Sequence, residues 1–257
     1  MVKGQEGVTW EQWRALAETA ERCGYEALFR SDHYLSVMGD GRRDALDAWA
    51  TLAGLAALTS RLRLGTLVSP TTFRHPAVLA KNAVTVDQIS GGRVEVGIGA
   101  GWNAGEHAAY GFDLPQMRDR FDRFAEQVEI VHGLLSDGRF AFGGRYYRLA
   151  GVDAQPKPVN GHLPIVLGGK AGPRAAALAA RFADEYNVLF VSPAQCQDVR
   201  ERLDERLTLS LMIPLDRFGQ EQMETYTEAG VERVMLQHLD HGDLDAVERT
   251  AELLLTS

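Results

Sequence analysis

Six short stretches carry side chains able to do chemistry, and each closes an apolar run. "SDHYLS" sets Asp32 and His33 side by side. An imidazole exchanges protons near neutral pH, so His33 is a candidate donor or acceptor, or a histidine hydrogen-bonded at a rim. "GTLVSPTTFRHP" gathers Gly65, Thr66, Ser69, Thr71 and Thr72, small or hydroxylated. They suit a backbone pressed against a flat ligand, or simply serve as turn residues. "VLGGKAGPR" brings Gly168, Gly169 and Gly172 to the start of a helix at Pro173, with Lys170 and Arg174 adding charge. Backbone N–H groups at a helix start can cradle a phosphate; the other reading is a left-handed turn before the helix. "EYNVLFVSP" places Asn187 near the same end. "QHLDHGD" holds His238, Asp240, His241 and Asp243 without a fixed ligand spacing, so no metal is expected there.

The sixth stretch, "VEVGIGAGWNAGEH", resembles a dinucleotide-binding glycine loop. That loop needs G-x-G-x-x-G between strand and helix, then an acidic residue ending a second strand about twenty positions on. Here the third glycine is Trp102, and the later region is the helix around Asp119 to Arg123. The match fails in spacing and in context. What remains is an open turn at Gly101 followed by Trp102, a stacking face, and Asn103, an amide. Glu106 and His107 are too few for a metal site.

The elements that position these residues alternate. Thr9 and Gln12 have capping-box spacing, and Trp13, Leu16, Ala17 and Ala20 form one apolar face. Gly24 stops this helix, and "YEALFRSDH" is a strand. Asp44 is the expected cap of the next helix, which leads to one strand, "RLRLGTLVS". Pro76 opens a third helix, broken at "SGGR" before "RVEVGIG". A long helix then sets Met117, Phe121, Phe124, Val128 and Val131 on one face. A hairpin about 139–149 interrupts the alternation around Gly143-Gly144. It resumes with "LPIVLGG", "DEYNVLFV", a helix capped by Ser192, "TLSLMIPL", a helix ending at Gly230, "VERVMLQHL" and a helix to Leu255.

Repeated β–α units imply a parallel sheet with helices outside. Seven strands and eight helices point to one α/β domain over residues 1–257, a (β/α)8 TIM barrel whose first strand is truncated. "RLDERLTLSLMIP" and "PLDRFGQEQ" also read as clipped, so residues are expected to be missing before 4 and near 207 and 216. With 257 residues and 45% hydrophobic content the chain can bury a full core. A net charge of −8 disfavours nucleic acid. Cys23 and Cys196 form no CxxC pair, and no signal peptide or apolar span is visible, so no membrane is expected and the default is a cytoplasmic protein.

Taken together, the ordered stretches resemble the luciferase-like monooxygenase superfamily, most of all its coenzyme F420-dependent oxidoreductases. They are "GVTWEQWRALAETAERCGYEALFRSDHY", "TSRLRLGTLVSPTTFRHPAVLAKNAVTVDQISGGRVEVGIGAGWNAGEHAAYGF", "RFDRFAEQVEIVHGLL", "GRYYRL", "PIVLGGKAGPRAAALAARFADEYN" and "EAGVERVML". The resemblance implies a TIM barrel, a homodimer, a small-molecule substrate and F420 as cofactor, with FMN as the alternative. It makes His33, with Asp32 beside it, the catalytic histidine. The Leu67-Val68 link matches a non-prolyl cis peptide behind the flavin ring, and Ser69 and Thr71 match the ring edge. Gly101, Trp102 and Asn103 match the cofactor side chain, and Gly169, Lys170, Ala171 and Gly172, with Arg174, match the phosphate loop. Sugar-phosphate dehydrogenases of the superfamily carry an acidic residue at Trp102 and a tryptophan at Val37, so sugar-phosphate oxidation is not expected. The implied activity is F420-dependent hydride transfer. Its rivals are a reduced-FMN monooxygenase, a non-catalytic flavin-binding protein on a degraded barrel and, distantly, a metal-dependent hydrolase.

Overall fold

A computed structural model describes residues 1–38 and 41–255. Helix α1 (Trp10–Arg22) is opened by the Thr9/Gln12 capping box and precedes β1 (Ala27–Arg30). Helix α2 (Ala48–Leu58) is capped by Asp47, whose carboxylate accepts from Ala50 N, and not by Asp44. The expected single strand that follows is two pieces, β2 (Arg63–Thr66) and β3 (Ser69–Pro70), parted by a cis peptide at Leu67-Val68. Helix α3 (Pro76–Ser90) starts on Pro76 and ends at left-handed Gly91. Strand β4 (Val94–Gly99) leads to a short helix the periodicity did not disclose, α4 (Ala104–Tyr110), and then to α5 (Met117–Leu135). Phe124, Val128 and Val131 bury the α5 face as expected, whereas Met117 is exposed.

The hairpin is β5 (Phe140–Gly143) with β6 (Arg148–Val152). The remaining elements are β7 (Ile165–Gly168), α6 (Pro173–Phe182), β8 (Glu185–Leu189), α7 (Pro193–Arg200), β9 (Thr208–Pro214), α8 (Gln220–Glu228), β10 (Arg233–Gln237) and α9 (Leu244–Leu255). The two links that read as clipped are formed turns. Asp204 turns the chain into β9, its carboxylate accepting from Arg206 N and its carbonyl from Leu207 N. Leu215–Arg217 forms one 3-10 turn after β9.

Seven strands pair in parallel in the order β1-β2-β4-β7-β8-β9-β10. The first barrel position is not vacant. Val2 bridges Arg30 on one side and His238 on the other; Val2 N donates to Phe29 O, and Met1 O accepts from His238 N, so Met1 and Val2 together join the two sheet edges. The barrel is therefore incomplete where its first strand should run, and a cavity of about 300 Å³ lies at that seam, lined by Met1, Leu16, Phe29, Phe218 and Met235 among others.

Alternate strand residues face inward, as the period of two requires. Arg233 closes the amino-end layer, bridging Glu95 at 2.7 Å and Glu185 at 2.8 Å, with Arg63 on Glu95 at 2.6 Å. Phe29, Leu67, Val166, Met212 and Met235 fill the layers above it. Leucines, valines and isoleucines of the opposite parity pack outward under the helices. The interior is thus plugged below and opens toward the carboxyl ends of the strands, where active sites of such barrels lie. Among the described residues no helix is long and apolar enough to cross a membrane.

Candidate active site

His33 leaves β1 with its Nδ1 2.6 Å from Glu106 Oε2. Glu106 is buried in α4, and its other oxygen accepts from Tyr34 N and from Leu35 N at 3.1 Å. The carboxylate thus fixes the chain after β1 and the ring together. With Nδ1 engaged, Nε2 is the nitrogen left for exchange. Trp102, 63% exposed, stands edge-on to the imidazole at 5.8 Å. Phe73 lies at 6.5 Å.

Asp32 is oriented differently. It is buried, accepts from Ser69 Oγ at 2.6 Å, and is ion-paired with Arg74. Arg74 also donates to Tyr34 Oη at 2.7 Å. Burial works against the Arg74 cation, but Asp32, Tyr34 and Asp47 outweigh it and raise its pKa. Asp32 therefore anchors the wall and is committed to that ion pair. Ser69 is committed to the same wall: its hydroxyl also accepts from Trp49 Nε1 at 3.1 Å, its backbone pairs with β4, and the residue is fully buried. Thr71 is buried with its Oγ1 unpartnered, and its carbonyl accepts from Gln127 at 2.6 Å.

The glycines of "VEVGIGAGWNAGEH" serve the Leu67-Val68 bulge. A Cβ on Gly97 would meet Thr66 O at 1.9 Å, and one on Gly99 would meet Val68 Cγ2 at 2.4 Å. One on Gly168 would lie 3.2 Å from Val68 Cγ1. Gly101 has a φ of 81°, open only to a residue tolerant of the left-handed region. Asn103 caps α4, accepting from Glu106 N at 3.3 Å. This cap sets Glu106 at the third helical position, facing His33.

In the loop after β7, Gly169 N–H donates to Asn187 O at 3.1 Å and Ala171 N–H to Tyr186 Oη at 3.0 Å. Among the described residues none accepts from the amides of Lys170, Gly172 or Arg174, which open onto the start of α6. Lys170 is exposed. Arg174 is ion-paired with Asp122 and lies 4.4 Å over Phe121, so its charge is bound to α5. Unpaired amides at a helix start and a lysine fit the phosphate of a flavin-type cofactor. The unpartnered Thr71 hydroxyl and the glycine-cleared bulge fit its flat ring.

His107 is not a ligand: its Nδ1 lies 2.6 Å from Asn103 O and its Nε2 2.7 Å from Thr72 Oγ1. His238 and His241 face each other at 6.4 Å, and burial pushes both pKa values down. Among the described residues no group of three potential metal ligands forms. Glu106 is the residue that sequence reasoning undervalued, seen only as half of an inadequate metal pair. The signal was the cap spacing Asn103-x-x-Glu106 after a strand.

The luciferase-like monooxygenase model matches residues 2–209, and the chain belongs to that family. The chain is 35% identical over 173 residues to an F420-dependent glucose-6-phosphate dehydrogenase of Nakamurella multipartita, covering 66% of this chain and 50% of that protein. It is 29% identical over 238 residues to an FMNH(2)-dependent dimethylsulfone monooxygenase of Pseudomonas fluorescens, covering 91% of this chain and 63% of that one. The chain thus spans about half the length of the first of these relatives. A solved F420-dependent secondary alcohol dehydrogenase, in complex with an F420-acetone adduct, superposes with a TM-score of 0.83 at 20% identity, covering 99% of this chain and 97% of that one. At that identity the likeness is one of fold.

Proposed function

We propose that this protein is an F420-dependent oxidoreductase acting on a small organic molecule, with His33 as its proton-handling residue. The observation that carries the reading is the His33–Glu106 contact beside the Leu67-Val68 bulge and the Gly169–Gly172 loop. When bound, the deazaflavin supplies the carbon that carries hydride, a chemistry belonging to the cofactor. The chain supplies the rest. The Lys170, Gly172 and Arg174 amides and the Lys170 ammonium hold the phosphate. The bulge and Thr71 support the ring, and Gly101 to Asn103 border the side chain. Glu106 holds His33 Nδ1, so Nε2 gives or takes the proton that balances the hydride. Asp32 positions His33 through the wall it shares with Arg74 and Ser69.

A reduced-FMN monooxygenase is the second reading, favoured by the relative that covers 91% of this chain. Tight cofactor binding without turnover would select a flavin-binding protein instead. The reading also includes one domain over 1–257 and a cytoplasmic location, which the two free cysteines suit. It includes a homodimer, for which Leu58 on α2 and Val78 and Ile89 on α3 offer exposed apolar side chains. The test is replacement of His33: H33A should cut turnover about 10²–10⁴-fold with F420 affinity retained. Unchanged turnover would remove the role given to His33.

A further inference from the structure

Two described residues other than glycine have a positive φ: Ala171 at 48° and Phe190 at 53°. They follow the adjacent strands β7 and β8, at the carboxyl end of the barrel. Left-handed backbone is unfavourable for any residue with a Cβ and is an outlier for a bulky one. Ala171 has an internal reason for its place, being buried with its N–H on Tyr186. Phe190 has none, because the residue is 54% exposed and lies outside both core clusters.

The backbone around Phe190 is held on both sides. Its N–H donates to Met212 O at 3.0 Å, and Val191 O accepts from Tyr226 Oη at 2.9 Å. The Ser192 capping box then opens α7. This frame imposes the left-handed turn, where glycine or asparagine would fit without penalty. A large aromatic ring kept at such a position, unburied, points to a ligand. In the strand order β8 lies across the ring from β1, so Phe190 stands on the far side of the mouth from His33. Trp102 and then the Gly169–Gly172 loop lie along the rim between them. The charges closest to His33 are already paired, Asp32 with Arg74 and Glu106 with His33 itself.

We propose that Phe190 is a specificity-determining residue, its ring forming the wall of the substrate pocket opposite His33, with Trp102 on the rim between them. The pocket so formed takes an uncharged, planar, largely apolar substrate. This deepens the oxidoreductase reading and rests on it. The test compares wild type with F190G and F190Y in three measurements: Tm, F420 affinity, and affinity of the F420-loaded protein for menadione, with glucose-6-phosphate as the charged control. Wild type should bind menadione and not the control. F190G should raise Tm by about 2–4 °C by relieving the backbone. It should weaken menadione at least about 10-fold and leave F420 affinity unchanged. F190Y, which keeps the ring, should retain wild-type menadione binding and Tm. The proposal is overturned if F190G lowers Tm, if its menadione affinity equals that of wild type, or if wild type prefers the sugar phosphate. Failure of wild type to bind F420 overturns the reading beneath it, and the Tm comparison tells the two failures apart.

Discussion

At the scale of single residues, the site depends on who holds His33. Glu106 receives one imidazole nitrogen and two backbone amides, so its charge and shape both matter. E106Q keeps the shape and removes the charge. It should lower kcat by about 10–100-fold while Tm falls only slightly; steady-state kinetics beside a melting curve checks both. Arg74 carries the opposite kind of role. R74M leaves the Asp32 carboxylate buried without its cation and should cost about 3–5 kcal/mol in urea unfolding. G99A drives a methyl into Val68, 2.4 Å away, and should destabilise by about 1–3 kcal/mol. Adding V68A should recover part of that loss.

At the scale of elements, the caps translate sequence into site geometry. Thr9 with Gln12 and Ser192 with Gln195 were legible because a capping box is a local pattern. The helix that presents Glu106 was not, since its seven residues are too few to show an amphipathic repeat. Asp47 displaced Asp44 as the α2 cap because both are aspartates three apart, and only the helix start decides between them. The positions of His33 and the Gly169–Gly172 loop at strand ends were legible from residue type. That Asp32, Ser69 and Arg174 are committed to neighbours was not, because their partners lie far along the chain: Arg74, Trp49 and Asp122. N103A removes the α4 cap. It should cost about 0.5–2 kcal/mol and reduce turnover through Glu106, measurable as a fall in kcat with unchanged F420 affinity.

At the scale of the whole molecule, the barrel is closed by little and plugged by charge. The seven parallel strands and the incomplete barrel were legible in the sequence. That Met1 and Val2 would bridge the gap was not legible, since two residues show no period. In the plug, burial raises Glu185, whereas Arg233 and Arg63 outweigh burial and hold Glu95 below the carboxylate range. Burial at the seam pushes His238 and His241 below the ordinary imidazole value of 6.5. Both groups are depressed on folding, so the unfolded chain binds more protons as pH falls. For the histidines, stability should be fully present above pH 6.5 and be lost as pH drops below it. Asp240, Asp243 and Glu6 temper the effect, being the acids that face the pair. H238Q with H241Q should flatten the slope of Tm against pH between about 7 and 5.

The central claim is that the mouth of this barrel is built for a deazaflavin. Titration of the wild-type protein with F420 and, separately, with FMN, followed by fluorescence, tests it most directly. The account predicts a Kd for F420 at least about 10-fold below that for FMN, a difference of some ~1.4 kcal/mol, and weaker F420 binding by K170A. Tighter binding of FMN, or no binding of either, would contradict it.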